Sequence, residues 1–190
     1  MNLHMTGLEH SSAPLVQRER LTFSKSAAAE ICRKIRSAPG VTGCVLLATC
    51  NRTELYLTGQ PEEDITDLIW EAAGIDPVPG LFTELSNQEA LRHLMEVAAG
   101  LCSRIWGEDQ IIRQVKSAID LAREAGTADS LLETLFRTAI AAGKEIRSEV
   151  RLTDVPVSAP SAAVTKIEKL LGSLQGKSAV VIGNGEMDRH

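Results

Sequence analysis

Val41-Thr42-Gly43-Cys44-Val45-Leu46-Leu47-Ala48-Thr49-Cys50-Asn51-Arg52-Thr53-Glu54-Leu55-Tyr56-Leu57-Thr58 is the stretch on which the fold turns. Branched and apolar residues fill both of its ends, and the polar run from Thr49 to Glu54 interrupts them. The pattern predicts two strands, 41–49 and 53–58, that meet near Cys50. Upstream, Pro39-Gly40 stops a helix that Ser24 caps and that runs to about Ser37, with Ala27, Ala28, Ile31, Cys32 and Ile35 at three- and four-residue spacing. Met1 to Glu9 reads as a first strand, and His10-Ser11-Ser12-Ala13-Pro14 as a turn into a short helix. Downstream, 62–73 reads as a helix and 80–84 as a weak last strand. The order βαββαβ predicts an α+β class and a small antiparallel α/β sandwich.

From Asn87 the periodicity becomes helical. Leu91, Leu94, Met95, Ala98, Cys102 and Ile105 form an apolar stripe that ends near Gly107. Ile111, Val115, Ala118, Ile119 and Ala122 form a second stripe, closed by Gly126. Leu132, Leu135, Phe136, Ala139, Gly143, Ile146 and Val150 form a third. A further helix from Ser161 to Leu171 leads to Ala179-Val180-Val181-Ile182-Gly183-Asn184-Gly185, an apolar strand running into glycines, as at the opening of a Rossmann-type nucleotide-binding domain. The expected organisation is a sandwich carrying the nucleophile over 1–86, a helical subdomain over 87–153, and a linker helix with an incomplete dinucleotide domain over 154–190.

Composition narrows the function classes. A net charge of −5 argues against broad, sequence-blind phosphate binding, which needs many cations to displace counterions. Aromatics make up 3% of the chain, too few for base stacking to dominate any nucleic-acid contact. The four cysteines Cys32, Cys44, Cys50 and Cys102 lack CxxC spacing, and no signal-peptide pattern precedes them. Reduced thiols in the cytoplasm are the expectation, with no membrane span and no metal site.

Cys50 is the candidate for chemistry. It sits where an apolar strand emerges among polar groups, and a thiolate is activated when a neighbouring cation lowers the thiol pKa from its usual value of about 8.5. In an extended chain Cys50, Arg52 and Glu54 share one side, and Thr49, Asn51 and Thr53 the other. Taken alone, Cys50 reads equally as a small buried hydrophobe. His93 is also open, between a solvated histidine and one facing the sandwich, because Leu91, Leu94, Met95 and Ala98 claim one face of its helix and His93, Val97, Gly100 and Arg104 the other.

Ordered blocks along the whole chain resemble the glutamyl-tRNA reductase family. They are Gly7-Leu8-Glu9-His10 with Ala13-Pro14 and Arg18-Glu19; Thr49-Cys50-Asn51-Arg52-Thr53-Glu54; His93-Leu94 with Val97-Ala98; Gly107-Glu108-Asp109-Gln110-Ile111 with Gln114-Val115-Lys116; and Gly183 to Met187. The resemblance implies that Cys50 attacks the ester of glutamyl-tRNA to form a thioester, which NADPH reduces to glutamate-1-semialdehyde for tetrapyrrole synthesis. It implies that His93 assists beside the sulfur and that Thr49, Asn51, Arg52, Ser103, Glu108, Asp109, Gln110 and Gln114 bind the glutamyl group. Arg52 would hold a carboxylate by a forked pair of hydrogen bonds. Gly183, Asn184, Gly185, Glu186, Met187 and Asp188 would receive NADPH. Partners implied are glutamyl-tRNA and the aminomutase that accepts the aldehyde, and the family is homodimeric. Arg137, Lys144, Arg147 and Arg151 offer either a rail for tRNA phosphates or an ordinary wet face.

Two departures from the family pattern stand out: Glu9 replaces the usual asparagine, and Asp188 replaces a third glycine that would permit close helix-to-strand packing. With only the first strand of the dinucleotide unit and no dimerisation segment, the expectation is at most thioester formation or slow ester hydrolysis. A remnant that binds tRNA or a partner without using Cys50, and a thiol redox sensor, are the alternatives.

Overall fold

The computed structural model of the protein describes residues 2–104, 110–149, 159–178 and 180. Four strands form one antiparallel sheet: β1 (Leu3–Glu9), β2 (Val41–Ala48), β3 (Arg52–Gly59) and β4 (Thr83–Ser86), in the order β2-β3-β1-β4. The two strands foreseen around Cys50 pair as a hairpin, with Ala48 opposite Thr53 and Leu46 opposite Leu55. The helices are α1 (Leu15–Arg20), α2 (Lys25–Arg36), α3 (Ile65–Ala73), α4 (Asn87–Ala99), α5 (Gln110–Ala125), α6 (Ser130–Glu149) and α7 (Ala159–Leu171). Fold class is therefore α+β, as the sequence predicts.

Strand alternation divides the interior in two. Leu3, Met5, Val45, Leu47 and Tyr56 face α4, α5 and α6 and share one core with Leu94, Val97, Val115, Leu132 and Phe136. Cys44, Leu46, Leu55 and Leu57 face the other way, onto α2 and α3. Tyr56 and Phe136 meet edge-on with ring centroids 5.4 Å apart, a geometry that tethers the centre of the sheet to α6. Gly143 makes the α4–α6 crossing possible, since a Cβ there would lie 2.7 Å from the Ala98 carbonyl oxygen.

The exposed edge of β2 is covered by the connection between α5 and α6. The Cys44 N–H donates to the Thr127 carbonyl (2.8 Å), and the Thr127 hydroxyl donates to the Cys44 carbonyl (2.9 Å). Covering an edge in this way withholds unpaired backbone groups from other chains.

Some boundaries differ from the sequence reading. The last strand lies at 83–86 rather than 80–84, because its register is set by β1, with Gly7 opposite Thr83 and His4 opposite Ser86. The helix carrying His93 ends at Ala99, not near Gly107. Gly100 takes a left-handed φ of 82° and its N–H returns to Val97, while Leu101 N–H returns to Glu96. Cys102 lies beyond the helix and packs on the same core from the turn that follows it. The buried face of α4 also differs: Val97 is fully buried, whereas Leu91 and Met95 are partly exposed beside Leu101 and Ile146. The side holding His93 is thus the one that meets the sheet. Apart from Val180, the expected strand Ala179–Ile182 and the turn 183–188 lie outside the described residues.

Candidate active site

Cys50 and Asn51 form the tip of the β2–β3 hairpin. Thr49 builds this turn. Its N–H donates to the Arg52 carbonyl (2.8 Å), and its hydroxyl oxygen accepts from the N–H groups of Asn51 and Arg52 (both 3.2 Å). Arg18 fastens the tip from α1, donating from Nη1 to the Cys50 carbonyl (2.6 Å) and from Nε to the Ala13 carbonyl (3.2 Å). Of the four cysteines, Cys32 and Cys44 are buried, Cys102 is half-buried and Cys50 is exposed.

The charged chemistry lies just behind the turn. Arg52 points to the α4 side of the sheet and is 2% exposed. Its Nη1 donates to Glu54 Oε1 (2.5 Å), and its Nη2 donates to Glu9 Oε2 (3.1 Å) and to the Cys102 carbonyl (2.6 Å). Glu54 binds three side chains: Arg52, the Tyr56 hydroxyl on Oε2 (2.9 Å) and His93 Nε2 on Oε1 (2.9 Å). Strand pairing dictates this grouping, because Glu9 sits opposite Arg52 in the register and Arg52, Glu54 and Tyr56 alternate onto one face. Gly7, opposite Glu54, leaves the room: a Cβ there would lie 2.8 Å from the Glu54 Cα and 2.9 Å from its Cγ.

The electrostatics follow from this packing. Burial pushes the Glu54 carboxyl up, but the His93 hydrogen bond and the Arg52 charge outweigh it and hold the group below the usual carboxylate range. Burial also works against the Arg52 charge, yet Glu54 and Glu9 more than restore it. Burial and the Glu54 charge push the Tyr56 phenol well up, so Tyr56 stays a neutral donor. Burial raises the Cys102 thiol to about 11.

Several expected site residues are placed differently from the sequence reading. Arg52 and Glu54 do share a side, but Cys50 belongs to the turn and not to their row. Arg52 neither sits free nor stands alone beside the sulfur: its guanidinium is held by two carboxylates and a carbonyl of this chain. The Thr49 hydroxyl is engaged in the turn. His93 faces the sheet, its side chain 17% exposed. Ser103 lies in the turn after α4, its N–H donating to the Gly100 carbonyl (3.3 Å). Gln110 opens α5, and Gln114 lines a cavity of about 100 Å³ with Phe23, Leu47 and Ala48. Glu108 and Asp109 lie outside the described residues, as does the nucleotide turn Gly183-Asn184-Gly185-Glu186-Met187-Asp188. On the third long helix Arg137 and Lys144 are exposed and Arg147 is half-buried, while Arg151 is outside the described residues.

Sequence reasoning did not give roles to Arg18, Tyr56 or the Cys102 carbonyl. Arg18 was visible only as part of a motif, and a backbone carbonyl leaves no signal in sequence. It also expected no cluster of metal-ligating groups. Yet a ring nitrogen of His93, a carboxylate oxygen of Glu96 and the Sγ of Cys102 lie within 4.8 Å of one another. Among the described residues no helix is long and apolar enough to cross a membrane.

Comparison with known proteins places this geometry in a family. The family model "Glutamyl-tRNAGlu reductase, N-terminal domain" matches residues 6–150. The chain is 41% identical to the probable multifunctional siroheme biosynthesis protein HemA of Ruminiclostridium josui, covering 100% of this chain and 38% of that protein. It is 39% identical to the glutamyl-tRNA reductase of Desulforudis audaxviator, covering 98% of this chain and 43% of the relative. The solved glutamyl-tRNA reductase from Methanopyrus kandleri superposes with a TM-score of 0.72 at 39% identity, covering 98% of this chain and 44% of that one. The chain thus spans less than half the length of these relatives. By the match across its sheet and helices, it belongs to the glutamyl-tRNA reductase family through that family's N-terminal domain.

Proposed function

We propose that this chain captures the glutamyl group of glutamyl-tRNA as a thioester on Cys50. The observation that carries the reading is an exposed cysteine at the tip of a built turn, two residues before Arg52 in the hydrogen-bonded Arg52–Glu54–His93 array. The Cys50 thiolate attacks the ester carbonyl carbon, a C–S bond forms, and the bond from that carbon to the tRNA ribose oxygen breaks. His93 takes the thiol proton and returns it to the departing ribose oxygen. Glu54 fixes the imidazole through Nε2 and leaves Nδ1 for proton transfer, in the manner of a carboxylate that orients a catalytic histidine.

Arg52 meets the substrate carboxylate only when Glu9 gives way, since Glu9 is the partner on the guanidinium that reaches solvent, 27% exposed against 2% for Glu54. Glu9 is therefore a competitor for the substrate. NADPH would supply the hydride that reduces the thioester, and the residues expected to hold it are 183–188. The steps assigned to residues of this chain end at the thioester.

Incubation with charged tRNA, followed by mass spectrometry of intact protein, is expected to show a glutamyl adduct that Cys50→Ser abolishes. Folded protein with no adduct, or an adduct that persists in Cys50→Ser, refutes acyl capture at this residue.

A further inference from the structure

The donors gathered around the end of α4 are of three kinds: an imidazole, a carboxylate and a thiol. His93 and Glu96 stand one helical turn apart on α4, and Cys102 returns to them because Gly100 ends the helix and turns the chain back. Arg52 pins this return by binding the Cys102 carbonyl at 2.6 Å. His93 is also oriented from behind, with Nε2 bonded to the buried carboxylate of Glu54 at 2.9 Å. A carboxylate behind a histidine is the usual arrangement for imidazoles that ligate metals, fixing the ring and raising its basicity. From this juxtaposition of His93, Glu96 and Cys102 we propose a binding site for a divalent transition-metal ion of the zinc type.

Nitrogen, oxygen and sulfur together suit a borderline-soft ion such as Zn²⁺, and exclude Mg²⁺ and Ca²⁺, which require oxygen ligands. Three protein ligands leave a fourth position for water or another ligand. Bond lengths of about 2.0 to 2.3 Å place neighbouring tetrahedral ligands roughly 3.5 Å apart, so the side chains close by about 1 Å on binding. The surface permits this. Glu96 is otherwise held by Arg92 in an exposed i,i+4 ion pair at 2.9 Å, an interaction of small net worth. With Nε2 on Glu54, His93 binds through Nδ1, and Cys102 binds as thiolate, its proton passing to solvent. An ion here occupies the His93 nitrogen that acyl capture needs, so it would act as an inhibitor of that reaction.

Titration of the metal-free chain with Co²⁺, a spectroscopic stand-in for Zn²⁺, is expected to give a thiolate-to-cobalt charge-transfer band that saturates at one ion per chain and is bleached by Zn²⁺. Cys102→Ser should abolish the band, and His93→Gln and Glu96→Gln should each weaken binding by about tenfold or more. Cys50→Ser, which removes the exposed thiol, should leave it intact. No band at stoichiometric Co²⁺, a band surviving Cys102→Ser, or a band lost with Cys50→Ser overturns the site. Far-UV circular dichroism of each variant separates loss of a ligand from loss of the fold, and the exposed Glu96 position keeps the test readable if Cys102→Ser misfolds. The readout is binding alone, so a negative result leaves acyl capture standing.

Discussion

Arg52 shows how much one residue's meaning depends on its neighbours. A buried guanidinium without partners is prohibitive, and this one persists because Glu54, Glu9 and the Cys102 carbonyl satisfy it. Glu9→Asn removes the solvent-facing carboxylate and frees a donor for the substrate. The half-saturating concentration of glutamyl-tRNA in Cys50 acylation should fall about three- to tenfold, corresponding to a charge-assisted contact of roughly 1 kcal/mol. A rise would show that Glu9 supports Arg52 and does not compete for it. Glu54 has a pH signature. Its carboxyl is held below the usual range in the fold, so its stabilising contribution is present above the unfolded pKa of about 4.3 and is lost as pH falls through the folded value. Urea midpoints of the parent and Glu54→Gln chains should therefore differ most near neutrality and converge as pH falls through the lowered folded value. A gap that stays constant with pH would exclude this account.

Among the elements, the β1–β3 pairing is the frame of the site. Register sets Gly7 against Glu54 and Glu9 against Arg52, so a slip of one residue would move every charge to the wrong face. Gly7→Ala places a methyl 2.5 Å from the Thr53 carbonyl oxygen and 2.9 Å from Glu54 Cγ. The strands must part or the carboxylate must move. Thermal melts should show a loss of about 1 to 3 kcal/mol, the usual range for overpacking, accompanied by loss of the Cys50 adduct. An unchanged melt with full adduct formation would mean that the sheet absorbs the methyl without disturbing Glu54. The hairpin turn is a second such element: Thr49 and Arg18 hold the backbone on either side of Cys50, which leaves the thiol at the tip.

For the molecule as a whole, the sheet and helices α4, α5 and α6 share one core, so they should unfold together. Phe136→Ala removes a fully buried ring that packs on Tyr56 and should cost about 3 to 5 kcal/mol. With Trp106→Phe as the background, so that fluorescence comes from Trp70 on the α3 side alone, fluorescence and helical circular dichroism should shift by the same amount; separate transitions would show two independent units. The sequence by itself determined the α+β class, the hairpin at Cys50, the helices and the blocks that mark the family. These are local: alternation, helical spacing, caps and short motifs are written in consecutive residues. Tertiary structure decided that Val97 and His93 turn toward the sheet, that Arg52 is already occupied, that Arg18 holds the Cys50 carbonyl, and that Cys102 comes back to His93 and Glu96. The return of Cys102 depends on where Gly100 ends the helix, and the others on which strand face α4 covers and on contacts between residues about 30 to 45 apart in sequence, which no consecutive pattern encodes.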